Sequence, residues 1–191
     1  MSVSPLRKTD RDHVSRIPVP EKSTLPSDLR DLYSNNHDEN WIQALSVNGD
    51  TARRFSAYFA SLFQAKGARL PLHERELLAV IVSAENGCGL CEIHHTQALA
   101  GLIKDRSKAQ RIALDYHLAP LTPREHALAD FAIKVTSAPK TIGQDDFDAL
   151  RRVGLDDADI VEALETSSWF NHTNRIFISL GVVPDTKFFD S

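Results

Sequence analysis

Two cysteines and a single methionine are all the sulfur in this 191-residue chain. So few cysteines exclude a scaffold stapled by several disulfides. No apolar run approaches the roughly 18 to 20 residues that span a bilayer. The opening residues, Met-Ser-Val-Ser-Pro-Leu-Arg-Lys-Thr-Asp, lack the apolar stretch of a signal peptide. Basic charge is not in excess: 22 Lys and Arg against 26 Asp and Glu give a net charge of −4. With no basic stripe, there is nothing to recruit nucleic acid. Alternating apolar and polar runs are missing, as are hairpin turn signals, so strands are not expected. These absences point to a cytoplasmic protein that engages neither membrane nor nucleic acid. In reducing surroundings a close cysteine pair reads as catalytic, redox or metal-binding rather than structural. Asn171-His172-Thr173 matches the glycosylation pattern, but without secretion it reads as chance.

What is present is helical punctuation. Residues 1–25 are polar and broken by Pro5, Pro18 and Pro20. They read as an extended arm, lying on the body or on a neighbouring subunit, or as a solvated tail. Residues 26–191 read as one all-α domain of about seven to eight helices. Asp50 is a candidate N-cap for a helix to Gln64 with Ala52, Phe55, Phe59 and Phe63 on its inner face. Pro71 opens the next, with Glu74 in its first turn. Its centre, residues 77–82, is apolar on every face, which predicts a buried central helix; Glu76 stands at the mouth of that run. Thr122-Pro123-Arg124-Glu125 is a capping box with proline at the first helical position. Asp156 caps the last long helix. Leu70-x-x-x-Glu74-x-x-Leu77 recurs as Leu121-x-x-x-Glu125-x-x-Leu128, which hints at a duplicated unit in which only the first copy keeps Glu76 and cysteines.

Both cysteines fall in one stretch, Asn86-Gly87-Cys88-Gly89-Leu90-Cys91-Glu92-Ile93-His94-His95. Chance would space two cysteines this way in roughly one chain of a hundred. Cys88, Cys91 and His95 sit at i, i+3 and i+7 and share one helical stripe. Cys88, at a helix start, meets free N–H groups and the positive dipole end, which favour thiolate. A stabilised thiolate, a second sulfur in reach and a nearby imidazole suit thiol redox chemistry. Three other readings compete: a packed buried pair, a zinc site using Cys88, Cys91 and His94 or His95, and a thioredoxin-type site. The last needs strands. No second Cys/His knuckle supports the zinc, so no metal and no cofactor are expected.

Glu76, Cys88 twelve residues on, Cys91 and His95 together resemble the active-site pattern of the AhpD-like alkylhydroperoxidase family, grouped with the carboxymuconolactone decarboxylase-like proteins. His94 and the Ser83-x-x-Asn86-Gly87-Cys88 lead-in are most similar to its peroxidase-related branch, as are Leu121-Thr122-Pro123-Arg124-Glu125 and Phe170-Asn171-x-x-Asn174-Arg175. The resemblance implies an all-α homo-oligomer and a peroxidase cycle on organic hydroperoxides. One cysteine becomes a sulfenic acid, the other closes a disulfide, and an outside thiol or protein reductant reopens it. It gives Cys91 the attacking role and leaves Cys88 as the more accessible resolving thiol, whereas the dipole argument favours Cys88. Glu76 and His95 would relay protons. Gly89-Leu90 stands where an aromatic or histidine is common, so a hydrogen-bond donor near the sulfurs is lost. Asn171, Asn174 and Arg175, lying among Trp169, Phe170, Ile176 and Phe177, are expected to serve backbone or subunit contacts outside the active site. A non-enzymatic thiol–disulfide protein and a decarboxylase on the same fold are the alternatives.

Overall fold

The computed structural model describes residues 13–64 and 66–189. Residues 1–12, half of the expected arm, lie outside the described residues. Among those described there are nine α-helices joined by short 3₁₀ turns, and no strand. The helices are α1 (Ser27–Asn35), α2 (Asn40–Leu45), α3 (Gly49–Phe63), α4 (Leu72–Asn86), α5 (Gly89–Ile103), α6 (Arg106–Leu114), α7 (Pro123–Ser137), α8 (Gln144–Arg152) and α9 (Asp157–Leu180). The all-α expectation holds. The number exceeds seven to eight because short helices such as the six-residue α2 form on tertiary packing.

The chain divides into two compact units. One holds the residues up to Ser56 and those from Leu180 onward. Here the described part of the arm runs along the C-terminal segment: Arg16 N–H donates to the Leu180 carbonyl at 2.7 Å, and Val183 N–H to that of Val14 at 3.0 Å. The Asn40 backbone N–H donates to the Asp185 carboxylate at 3.2 Å, and Trp41 packs on Phe55. Asn48, not Asp50, caps α3, because its side-chain oxygen accepts from Thr51 N–H at 3.1 Å. Asp50 falls inside the first turn and pairs with Arg53 instead.

The other unit, Ala57–Ser179, is built on α4. This helix is buried continuously from Glu74 to Ser83, and α5, α6 and α7 lie against it. The apolar residues 77–82 account for most of that burial. The charges in its first two turns are each answered. Glu74 accepts two bonds from the Arg124 guanidinium at 2.6 and 3.0 Å, Arg75 Nη1 donates to the Leu62 carbonyl, and Glu76 meets His95. Thr122 and Glu125 form the expected capping box at the start of α7, and Asp156 and Asp159 bond reciprocally at the start of α9. Helices α4 and α7 are both 15 residues long and offset by 51 at each end, the same offset as the sequence echo.

Candidate active site

Local sequence builds the cysteine turn. Gly87 ends α4 in the left-handed conformation, at φ 69°, where a side chain would be strained. Cys88 N–H then donates to the Ser83 carbonyl at 2.9 Å and Gly87 N–H to that of Ala84 at 3.1 Å, the paired closure of a Schellman motif. The next residue starts α5, with Cys88 itself at the N-cap position. The Asn-Gly-Cys sequence therefore delivers a thiol from the end of one buried helix directly to the positive end of another.

Cys88 and Cys91 are both free thiols, 2% and 5% exposed. The expectation that Cys88 is the more accessible is corrected: both cysteines are buried, Cys88 no less than Cys91. The Cys91 thiol, donating to the Cys88 sulfur, holds the Cys88 thiol below the ordinary cysteine range. The Cys91 backbone N–H and the Asn174 side chain act in the same direction, while burial and the Glu92 carboxylate oppose them. Cys91 is pushed up, chiefly because its proton is held by Cys88 and because it is buried. Within the pair, ionisation is thus easier at Cys88 than at Cys91.

One turn beyond Cys91, His95 Nδ1 lies 2.7 Å from Glu76 Oε2, and these side chains are 15% and 8% exposed. Glu76 is thus not a solvated first-turn carboxylate. Its carboxylate accepts a hydrogen bond from Nδ1–H, which leaves Nε2 as the ring's acceptor nitrogen. Phe170 meets the imidazole edge-on with centroids 4.6 Å apart, and Phe63 and Phe59 lie at 6.0 and 6.5 Å. These three rings set apolar surface against the imidazole. His94, its neighbour, is half-buried.

Asn174, expected to serve buried polar contacts, is fully buried and makes them at the end of α4, next to the cysteine turn. Its amide lies 3.1 Å from Ser83 Oγ and 3.0 Å from Asn86 Nδ2. Asn86 Nδ2 is also 3.0 Å from Asn171 Oδ1, which accepts from Arg175 Nη1 at 2.9 Å. The Asn-x-x-Asn-Arg spacing carried the only sequence signal: three polar residues on one turn of an otherwise apolar helix need a polar destination. A cavity of about 390 Å³ opens along α4 and α5 on the side of Tyr116, lined among others by Ile81, Ala84, Glu85 and Glu92 and by neither cysteine. Among the described residues no three or more His, Cys, Asp or Glu side chains are grouped as metal ligands, and no helix is long and apolar enough to cross a membrane.

The carboxymuconolactone decarboxylase family profile matches residues 49–134. No curated protein sequence matches the chain. An AhpD-core, peroxidase-related protein of Ralstonia eutropha JMP134 is 34% identical, with a TM-score of 0.87 over 92% of this chain and 95% of that one. A peroxidase-related protein of Silicibacter sp. TM1040 is 27% identical, with a TM-score of 0.88 over 95% and 97%. A debrominase crystallised with a tribromopyrrole shares the fold at 18% identity and a TM-score of 0.77, over 92% and 96%. Agreement with the first of these over nearly the whole of both sequences places the chain: it belongs to the AhpD-like, carboxymuconolactone decarboxylase family.

Proposed function

We propose that the protein is a thiol-dependent peroxidase that reduces organic hydroperoxides. The observation that carries this reading is the pair of buried free thiols, three residues apart at the start of the helix that also holds His95 against Glu76. Because a debrominase shares the fold, the fold alone does not choose the oxidant. The side chains do the choosing.

The Cys88 thiolate takes the outer oxygen of the hydroperoxide, breaking the O–O bond. It becomes a sulfenic acid, and the alkoxide collects a proton from the His95–Glu76 pair and leaves as the alcohol. Cys91 then attacks the Cys88 sulfur, its thiol proton departs with the hydroxide as water, and a disulfide remains. One hydroperoxide and two thiols give one alcohol, one water and one disulfide. An external dithiol, small or protein-borne, restores the pair by exchange. This assigns attack to Cys88, against the family resemblance, because its lowered thiol pKa and its place at the start of α5 both favour it. We also retain a homo-oligomer in this reading: Leu114 and Leu118 are 82% and 63% exposed and offer apolar surface to another copy.

The test is consumption of an organic hydroperoxide by the reduced protein, followed by thiol titration. Loss of one peroxide and two thiols per chain is expected, with Cys88→Ser inactive and Cys91→Ser trapped as a single sulfenic acid. Peroxide loss at the wild-type rate in both variants sinks the idea. The burial of both sulfurs favours one second reading, a slow disulfide switch without turnover. Stoichiometric disulfide formation that no dithiol reverses on the assay timescale would select it.

A further inference from the structure

Glu76 holds one nitrogen of the His95 ring and leaves the other open. Nδ1 is bonded to the Glu76 carboxylate, and among the described residues Nε2 makes no hydrogen bond. Nor is Nε2 enclosed: the side chain is 15% exposed, and Nε2 is not one of the unpartnered polar atoms shut off from solvent. Solvent therefore reaches the ring at the nitrogen that is free to exchange a proton. The three phenyl rings around the imidazole are not equally buried. Phe63 and Phe170 are 7% and 2% exposed, whereas Phe59 is half-buried. Phe59 is thus the ring that an incoming molecule meets. It stacks on Phe63 with centroids 4.9 Å apart and planes 12° from parallel, and its centroid lies 6.5 Å from that of His95. The stack is buried at Phe63 and reaches solvent at Phe59, where a further ring would extend it in the same geometry.

We propose that the site selects aryl hydroperoxides, with Phe59 as the specificity-determining residue that stacks on the substrate's aromatic ring while the leaving oxygen sits at His95 Nε2. This inference rests on the peroxidase reading and names its substrate class. In that cycle the oxygen protonated by the His95–Glu76 pair is the one that carries the organic group. The residue that protonates it therefore also decides where the organic group lies. With the oxygen at Nε2, that group starts beside the imidazole and has phenyl surface from α3 within reach. Hydrogen peroxide has nothing to place there. An alkyl chain would cover Phe59 but gain no ring-on-ring geometry. An aryl group gains both.

The experiment compares cumene hydroperoxide with tert-butyl hydroperoxide, which differ by a phenyl in place of one methyl. With excess dithiol, kcat/KM is expected to be about tenfold higher for cumene hydroperoxide, chiefly through KM. Phe59→Leu keeps an apolar side chain and removes the ring, and is expected to cut that preference about fivefold. Phe59→Trp keeps an aromatic face and is expected to retain it. A wild type without preference overturns the proposal. So does a Leu variant with the wild-type ratio, or one in which both substrates fall by a common factor, as a packing defect would produce. Binding is read without turnover by titrating 2-phenylpropan-2-ol, and tert-butanol beside it, into the reduced protein while the His95 ring resonances are followed by NMR. The aromatic alcohol alone is expected to move them, about fivefold more weakly in Phe59→Leu. If wild type consumes no peroxide while this difference persists, the peroxidase reading fails and the aryl site stands. If the two alcohols act alike, the aryl site fails.

Discussion

His95 Nδ1 and Glu76 Oε2, 2.7 Å apart, join α5 to α4 through a bond that is almost fully withdrawn from water. Nineteen residues separate the partners, and each sits on a helix whose register is set by neighbouring packing. Two consequences follow for the histidine. Its tautomer is fixed with the proton on Nδ1, and its positive charge, when it takes a second proton, is met by a carboxylate.

Glu76→Gln keeps a side chain of the same length but removes that charge. Peroxide consumption is expected to fall about a hundredfold, the usual scale for losing one proton-transfer group, with little change in the melting temperature. Steady-state assays beside a thermal melt check this. A Gln variant with wild-type turnover would reduce Glu76 to a strut between helices.

Glu74 and Arg124 make a separate prediction, about stability alone. Glu74 is buried, and Arg124 grips it with two bonds from the start of α7. Arg124→Met leaves that carboxylate without its partner and is expected to cost about 3 kcal/mol, with the thiol chemistry intact. Adding Glu74→Met should recover most of the loss, because the cost lies in the stranded charge. Urea denaturation of the single and double variants measures both. A double variant no more stable than the single would place the cost in lost packing.

How far these elements can be read from sequence depends on how local their causes are. The Thr122–Glu125 box, the glycine stop at Gly87 and the buried run 77–82 are set within one or two turns, and each forms as expected. The cap of α3 falls two residues before the expected one because Asn48 and Asp50 are both competent caps, and the helix takes the earlier. Cys88, Cys91, Glu76 and His95 stand out because their residue types and spacings are rare. Asn174 does not. Its place next to the cysteine turn comes from α9 meeting the end of α4, across 91 residues between Ser83 and Asn174, and an asparagine on an apolar helix face resembles any satisfied buried amide. The burial of Cys88 is illegible for a related reason: Gly87 and Gly89 on either side of it have open space at their Cα positions, yet Cys88 between them is 2% exposed.

Glu92 is the group that opposes the site. It sits one turn beyond Cys88, with its N–H bonded to the Cys88 carbonyl at 2.8 Å. Its carboxylate lines the cavity of about 390 Å³ and raises the cost of a thiolate on Cys88. Burial pushes its own ionisation upward. Above that ionisation the carboxylate is charged and repels the thiolate; below it the repulsion disappears. Glu92→Gln removes the repulsion at every pH. The thiolate midpoint is expected to drop by about half a pH unit, the size of one like charge in a partly solvated site. Alkylation near neutral pH should then run about threefold faster than in wild type. The difference between the two proteins should shrink as pH falls through the Glu92 ionisation, since wild type then carries a neutral carboxyl as well. Rates of alkylation across that range decide it. A constant ratio at all pH values would mean that the Glu92→Gln substitution changes access to the sulfur rather than the charge beside it.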